Sequence, residues 1–395
     1  MSTSRKDAVG PLHGIKVVDF SGFIAGCYAA QLFGDLGAEV VKVEPLTGDG
    51  ARYWGPFIRG ESRFFQGWNR NKQSIALDLR SEEGLEIVRS LVGKADIVVE
   101  NFRPGITKKL GIDYDSLRTC NEQLIYLSIT AFGGVGPHGS RPGYDPILQS
   151  MTGTVRANER YTGGVGICSV AVSDYGAGML GSGAVLAALY HREKTGEGQL
   201  IRTTLLQAAM AIQNHSFVKP LEAEEEPPFG IYPYRLFDTK DDLIFIAGPT
   251  DKFWQALCNA IGAPELGTDP SYLTNALRVD HADELNELLS PILKTKTTAE
   301  WEVILVAAGV PCAPVGTYEE FFETEQVAAM GMNPIVEHSK IGPMHLAGVP
   351  VDLERTPGSI RRPPPTLGEH TDEILAGIGY DKERVDALRK DGIVR

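Results

Sequence analysis

Gly14–Glu44, G-I-K-V-V-D-F-S-G-F-I-A-G-C-Y-A-A-Q-L-F-G-D-L-G-A-E-V-V-K-V-E, decides how the chain is read as a fold. Gly14–Phe20 is a short apolar run rich in valine, the signature of a buried strand. A segment rich in small residues, about Ala25–Leu36, has helical character, and Glu39–Glu44 is again strand-like. Strand, helix and strand at this spacing form a parallel crossover unit. The pattern recurs as a strand at Ser74–Leu79, a helix at Glu82–Val92, and strands at Ile97–Glu100, Leu124–Ile129 and Leu200–Thr204. The expectation is a doubly wound, Rossmann-like α/β domain that binds ligand beyond the carboxyl ends of its strands.

Downstream the grammar changes. Glu222–Pro228 is acidic and proline-terminated, as a linker is. Tyr232–Ile246 reads as a hairpin turning at Lys240–Asp242, followed by helices at about Asp251–Ile261, Asp283–Leu293 and Thr298–Ala308. This predicts a smaller α+β domain over 229–330, set between a large domain over 1–220 and a segment, 331–395, that returns to complete it. The last helix is expected to start at Thr371, with Thr371 as its cap.

With 395 residues, 43% of them hydrophobic, the chain can bury a large core. A net charge of −13 argues against general nucleic-acid binding. No apolar run is long enough to span a membrane, and Met1–Leu12 lacks the apolar centre of a signal peptide. The five cysteines (Cys27, Cys120, Cys168, Cys258, Cys312) are widely spaced and never C-x-x-C. Reduced thiols, a cytoplasmic setting and no metal site follow as expectations.

Chemistry concentrates at Ser169–Ala187, S-V-A-V-S-D-Y-G-A-G-M-L-G-S-G-A-V-L-A. Ser169–Ser173 reads as a buried strand that breaks into a long helix from Tyr175 to about His191. Asp174 would then sit at the helix start, as a simple N-cap or as a carboxylate kept ionised by the helix dipole. Gly176, Gly178, Gly181 and Gly183 are poor helix formers, and would leave room for a bulky ligand. Two basic clusters, Asn69–Lys72 with Arg80 and Asn101–Gly105 with Lys108 and Lys109, suggest a phosphate-bearing ligand in so acidic a chain. Tyr144, Gln149 and Tyr175 are pocket candidates by position. Gly134–Gly139, G-V-G-P-H-G, matches a dinucleotide fingerprint by letter but lacks the helix that should follow. It is read as a loop, with His138 on the surface.

These residues fall within blocks that resemble the class III CoA-transferases (formyl-CoA transferase, L-carnitine CoA-transferase and succinyl-CoA:dicarboxylate CoA-transferase relatives). The blocks include P-L-H-G-I-K-V-V-D-F (11–20), N-R-N-K-Q-S-I-A-L-D-L (69–79), V-E-N-F-R-P-G (99–105), R-P-G-Y-D (141–145), S-D-Y-G-A-G (173–178), G-V-P-C-A-P-V (309–315) and P-P-P-T-L-G-E-H-T (363–371). The resemblance implies that Asp174 is a nucleophile that exchanges CoA through a mixed anhydride and an aspartyl-CoA thioester. It implies CoA contacts at Phe23, Ile24, Ala25, Leu77, Arg80, Asn101, Phe102, Arg103 and Lys109. CoA and acyl-CoA would be substrates, a small carboxylic acid the other partner, and no cofactor would be tightly held. It further implies a ring-shaped chain interlocked with a second subunit, as a homodimer or beside a homologous partner.

Some positions depart from the relatives. Pro45 stands where formyl-CoA transferase has a CoA-contacting arginine, and only Gly248 remains of its glycine run. The related α-methylacyl-CoA racemases carry G-H-D where this chain has Gly143-Tyr144-Asp145, and a glutamate aligned with Thr250. A tyrosine, with a reference pKa near 10, is a poor general base. Transfer is therefore favoured over racemisation.

Overall fold

The structure, a computed structural model, describes residues 10–162, 164–219, 221–222 and 230–395; most of the proposed linker at Glu222–Pro228 lies outside these. The chain divides into two compact units. One comprises Met1–Asn158, Val165–Phe217 and Glu325–Arg395; the other comprises Glu159–Gly164 and Val218–Thr324.

The larger unit is built on six parallel strands: β1 (Lys16–Asp19), β2 (Glu39–Glu44), β3 (Lys72–Ala76), β4 (Ile97–Glu100), β5 (Ile125–Thr130) and β6 (Leu200–Thr204). Their order is β3-β2-β1-β4-β5-β6, the doubly wound arrangement with its reversal between β1 and β4. A parallel sheet is covered on both faces, so its strands read as continuous apolar runs rather than alternating ones. Val17 turns to a face covered by α1 (Ala25–Asp35) and α2 (Val172–Thr195), in a core with Phe33, Ile125 and Val185. Val18 turns to the other face, packing with Ile75 and Leu77 and with Ile87 of the helix Glu82–Val92.

Two helices near the end of the chain, α3 (Thr371–Gly377) and α4 (Lys382–Lys390), complete that second face with Leu375 and Leu388. The terminal residues then pair with the edge of the sheet. Val394 bridges Leu77, the Asp78 amide donates to the Ile393 carbonyl, and the Arg395 amide donates to the Ala76 carbonyl.

Three local expectations are overturned. Ser169–Ser173 is not a strand: Ser169 and Val170 are exposed and irregular, and α2 begins at Val172, with Ala171 as an N-cap that offers no side-chain acceptor. Asp174 is therefore the third helical residue and not the cap. Thr371 does not cap α3 either; His370 holds that position, while the Thr371 hydroxyl donates to the Gly368 carbonyl. Three of the four glycines of α2, Gly176, Gly178 and Gly181, serve packing, while Gly183 is exposed with no neighbour near an added Cβ. A Cβ at Gly178 would lie 2.7 Å from the Ala25 carbonyl oxygen, and one at Gly176 would lie 2.5 Å from Ile212 Cδ1. These positions let α1 and its neighbours approach closely, and leave no opening there for a ligand.

The smaller unit carries an antiparallel sheet of β7 (Tyr234–Asp238), β8 (Leu243–Ala247) and β9 (Cys312–Pro314). Helices Asp251–Ala260, Ala282–Leu293 and Thr298–Ala307 contribute Trp254, Leu289 and Trp301 to its core. Thr250 caps the first of these by accepting from the Phe253 amide, 3.4 Å away.

Candidate active site

The loops that follow β1, β4 and β5 surround a cavity of about 690 Å³, within the size range of small-molecule and cofactor sites. Because the strand order reverses between β1 and β4, their loops diverge and leave a crevice between them. Ser21–Ala25 forms one wall and Asn101–Pro104 the next. Thr130–Phe132, residues between Gly139 and Pro146, the stretch around Ile167–Asp174 and the end of β2 with its following loop, from Val43 to Gly50, line much of the rest.

Asp174 reaches this cavity from the first turn of α2. Burial pushes its carboxyl up to about 7; the negative charge of Asp145 adds to the shift, and a hydrogen bond from the Asp145 backbone opposes it. The helix start thus fails to keep this carboxylate acidic, contrary to the expectation from position alone. Desolvation and a like charge win over the dipole.

Asp145, the final residue of R-P-G-Y-D, is nearly inaccessible and supplies what Ala171 cannot. One of its carboxylate oxygens accepts from the Ser173 amide at 2.6 Å, satisfying an unpaired donor at the start of α2. Gln149 reinforces the same corner. Its amide nitrogen donates to Asp145 and to the Cys168 carbonyl (3.1 Å), and its oxygen accepts from the Cys168 amide (2.9 Å). Gln149 is wholly buried and sits behind the cavity wall.

Phe23, Ile24, Ala25, Asn101, Phe102, Arg103, Tyr144 and Asp174, all singled out from the sequence, line the cavity. Tyr144 is exposed and lies edge-on to Phe23, with ring centroids 6.3 Å apart. Leu77, Arg80, Lys109 and Tyr175 stand off the cavity wall. Leu77 is fully buried in the core, while Arg80 and Lys109 are exposed. Tyr175 faces inward, its hydroxyl accepting from Trp68 Nε1 at 2.8 Å.

The Asn69–Lys72 cluster is an internal brace at the start of β3. Arg70 pairs with Asp35 (Nη2 to Oδ2, 2.7 Å) and donates to the carbonyls of Ala347 and Gly348. Lys72 pairs with Asp19 at 2.8 Å, both fully buried. Neither cation is left over for a phosphate. The charged cavity residues missed from sequence are Arg141, Asp145, Glu44 and Asp49. Arg141 and Asp145 belong to a quoted motif, so their place in R-P-G-Y-D was the available signal. A smaller cavity of about 190 Å³ adjoins, sharing Phe102, Arg103, Pro104 and Thr130, with Glu100 and Arg202 in its lining. Burial pushes Glu100 up to about 7, against hydrogen bonds from Ser128 and the Phe102 amide.

The family profile "CoA-transferase family III" matches residues 12–371. The chain belongs to CoA-transferase family III. A succinyl-CoA:glutarate CoA-transferase of Mus musculus is 34% identical, covering 98% of this chain and 91% of its own length. A succinate–glutarate CoA-transferase of Agrobacterium fabrum is 36% identical over 93% of this chain and 96% of its own. Among solved structures, a Mycobacterium tuberculosis protein superposes with a TM-score of 0.82 at 33% identity, covering 93% of this chain and 100% of that one.

As a member of CoA-transferase family III the protein is an enzyme whose substrates are CoA thioesters. Its parallel α/β unit is that of the family fold. Among the described residues, no helix is long and apolar enough to cross a membrane.

Proposed function

We propose that the enzyme moves CoA from an acyl-CoA donor, succinyl-CoA or a close analogue, to a small carboxylic acid through covalent intermediates on Asp174. The observation that carries this reading is that Asp174 lines the larger cavity. The ionised carboxylate attacks the thioester carbonyl and expels CoA thiolate, giving a mixed anhydride. The thiolate then attacks the Asp174 carbonyl carbon of that anhydride, releasing the donor acid and leaving an aspartyl-CoA thioester. The acceptor carboxylate attacks this thioester, expels the thiolate again, and forms a second anhydride. Attack of thiolate on the acceptor carbonyl yields the new acyl-CoA and restores the Asp174 carboxylate. Covalent catalysis of this kind divides one difficult exchange into reversible steps.

Supporting a dicarboxylate acceptor are relatives named for succinyl-CoA with glutarate or L-malate and two arginines, Arg103 and Arg141, in the cavity lining. For the CoA moiety, the loops at Phe23–Ala25 and Asn101–Arg103 are the proposed contacts.

The quaternary arrangement we infer is a homodimer of interlocked chains. Met179, Leu186 and Tyr190 of α2 are exposed and recur on one face of that helix, an apolar stripe that a second copy would cover. Relatives named as alpha and beta subunits of one succinyl-CoA–L-malate CoA-transferase make a homologous partner the other form this surface would accept.

Incubation with succinyl-CoA and trapping with hydroxylamine or borohydride, read by mass spectrometry, is the test. A hydroxamate or reduced adduct at Asp174 is the expected result, and Asp174→Ala should abolish both adduct and transfer while CoA still binds. Near-native transfer by that variant would remove the nucleophile assignment. Deuterium entering the α-position of an acyl-CoA with no adduct would mean that the enzyme racemises instead.

A further inference from the structure

Asn101 sits at the cavity, yet both functional atoms of its amide are already engaged. Oδ1 accepts from the Gly22 amide at 2.8 Å, and Nδ2 donates to the Gly22 carbonyl at 2.7 Å. The two bonds clamp one peptide residue from both sides and tie the loop after β1 to the loop after β4. The next residue, Phe23, has φ +59, a left-handed conformation disfavoured for an L side chain and held only where the surroundings enforce it.

What enforces it lies beneath. The Phe23 amide donates to Asp49 Oδ1 at 3.3 Å, and the Ala51 amide to the same oxygen at 2.9 Å. The other Asp49 oxygen pairs with the fully buried Lys42 at 3.0 Å, whose ammonium also donates to the Ser21 carbonyl at 2.7 Å. Gly22 and Phe23 are thus fixed from one side by Asn101 and from the other by Asp49 and Lys42. Phe23, Ile24 and Ala25, which follow immediately, are cavity wall.

Resting on the reading of this cavity as the acyl-CoA site, we infer that Asn101 is a positioning residue. It acts on the substrate through the backbone of Gly22, with Asp49 and Lys42 as the fixed counterpart, and does not contact the ligand by its own amide. The paired bonds to Gly22 take one N–H and one oxygen lone pair of the amide and fix its plane. Preorganising a binding loop strengthens binding by lowering the ordering cost.

The test compares the unchanged protein with Asn101→Ala and Asn101→Asp by calorimetric CoA titration, steady-state kinetics and amide hydrogen exchange over residues 20–28. Asn101→Ala should weaken CoA binding about tenfold or more, raise KM for the acyl-CoA more than it lowers kcat, and speed exchange at 20–28. Asn101→Asp keeps the acceptor for the Gly22 amide but turns a carboxylate oxygen toward the Gly22 carbonyl, so exchange at 20–28 should speed there too, and it serves if the alanine variant folds poorly. Weakened binding with unchanged exchange would make Asn101 a direct ligand contact and overturn the inference. CoA affinity within twofold of the unchanged protein would also overturn it. If the unchanged protein binds no CoA, the functional reading fails and takes this inference with it; if only the variants match it, this inference fails alone.

Discussion

At the scale of single residues, the proposed chemistry turns on two carboxyl groups that the sequence separates by 29 positions, Asp145 and Asp174. With the Asp174 carboxyl near 7, the ionised form of the proposed nucleophile accumulates as pH rises through neutrality. The profile of kcat/KM for the acyl-CoA is expected to show an acidic limb near pH 7. Asp145→Asn preserves an oxygen for the Ser173 amide but removes the charge, so the limb should move to lower pH, by about half a unit or more; an unmoved limb would exclude Asp145 as its cause. The same shift affects stability. Between about pH 4 and 7 the folded protein holds a proton that the unfolded chain has released, so this group's contribution falls as pH rises through that window. Asp174→Asn removes that loss. Its unfolding midpoint should exceed that of the unchanged enzyme by about 3 °C at pH 8 and by almost nothing near pH 4, as calorimetry at both values would reveal. Asp174 could be picked out in S-D-Y-G-A-G, but its acidity could not. Burial and the approach of Asp145 are products of tertiary folding.

At the scale of elements, periodicity was a good guide where a segment was long and its environment uniform. Glu39–Glu44, Glu82–Val92 and Ile97–Glu100 lie where their apolar patterns placed them. It misled where local propensity met a tertiary partner. Ser169–Ser173 has the β-branched composition of a strand, yet Gln149 and Asp145 supply hydrogen bonds that hold the segment irregular and start a helix at Val172. The basic run Asn69–Lys72 resembled a phosphate site because charge can be read from a sequence and pairing cannot. Its cations are consumed by Asp35 and Asp19. Arg70→Ala should accordingly destabilise the fold by about 3–5 kcal/mol, because it leaves Asp35 buried without its partner. Chemical denaturation would measure this loss, and the folded fraction should bind CoA with unchanged affinity. A ligand role for Arg70 would reverse that pattern.

At the scale of the whole molecule, the doubly wound sheet could be foreseen from its repeating crossovers, and with it the end of the sheet where the larger cavity opens. The return of residues 331–395 was visible only as a block of motif and one helical pattern from Thr371; the second helix, Lys382–Lys390, was not foreseen. Their docking depends on pairings that span most of the chain, such as Arg361 with Asn71 and Arg395 with Ala76. Sedimentation at micromolar concentration is expected to give twice the chain mass, and Leu186→Glu on the exposed stripe of α2 should shift the population toward single chains. A monomer in both cases would remove the interlocked arrangement.

The pairing of residues 393–395 with the edge of β3 also sets a schedule for synthesis. Ala76 leaves the ribosome long before Arg395, and at about 5–20 residues per second the interval is roughly 15–60 s. Throughout that time the strand beside Leu77 presents an unpaired edge, and the apolar face awaiting Leu375 and Leu388 stays open. The nascent large unit therefore remains unfinished until Arg395 has been added, a period in which a holding chaperone would have its natural target.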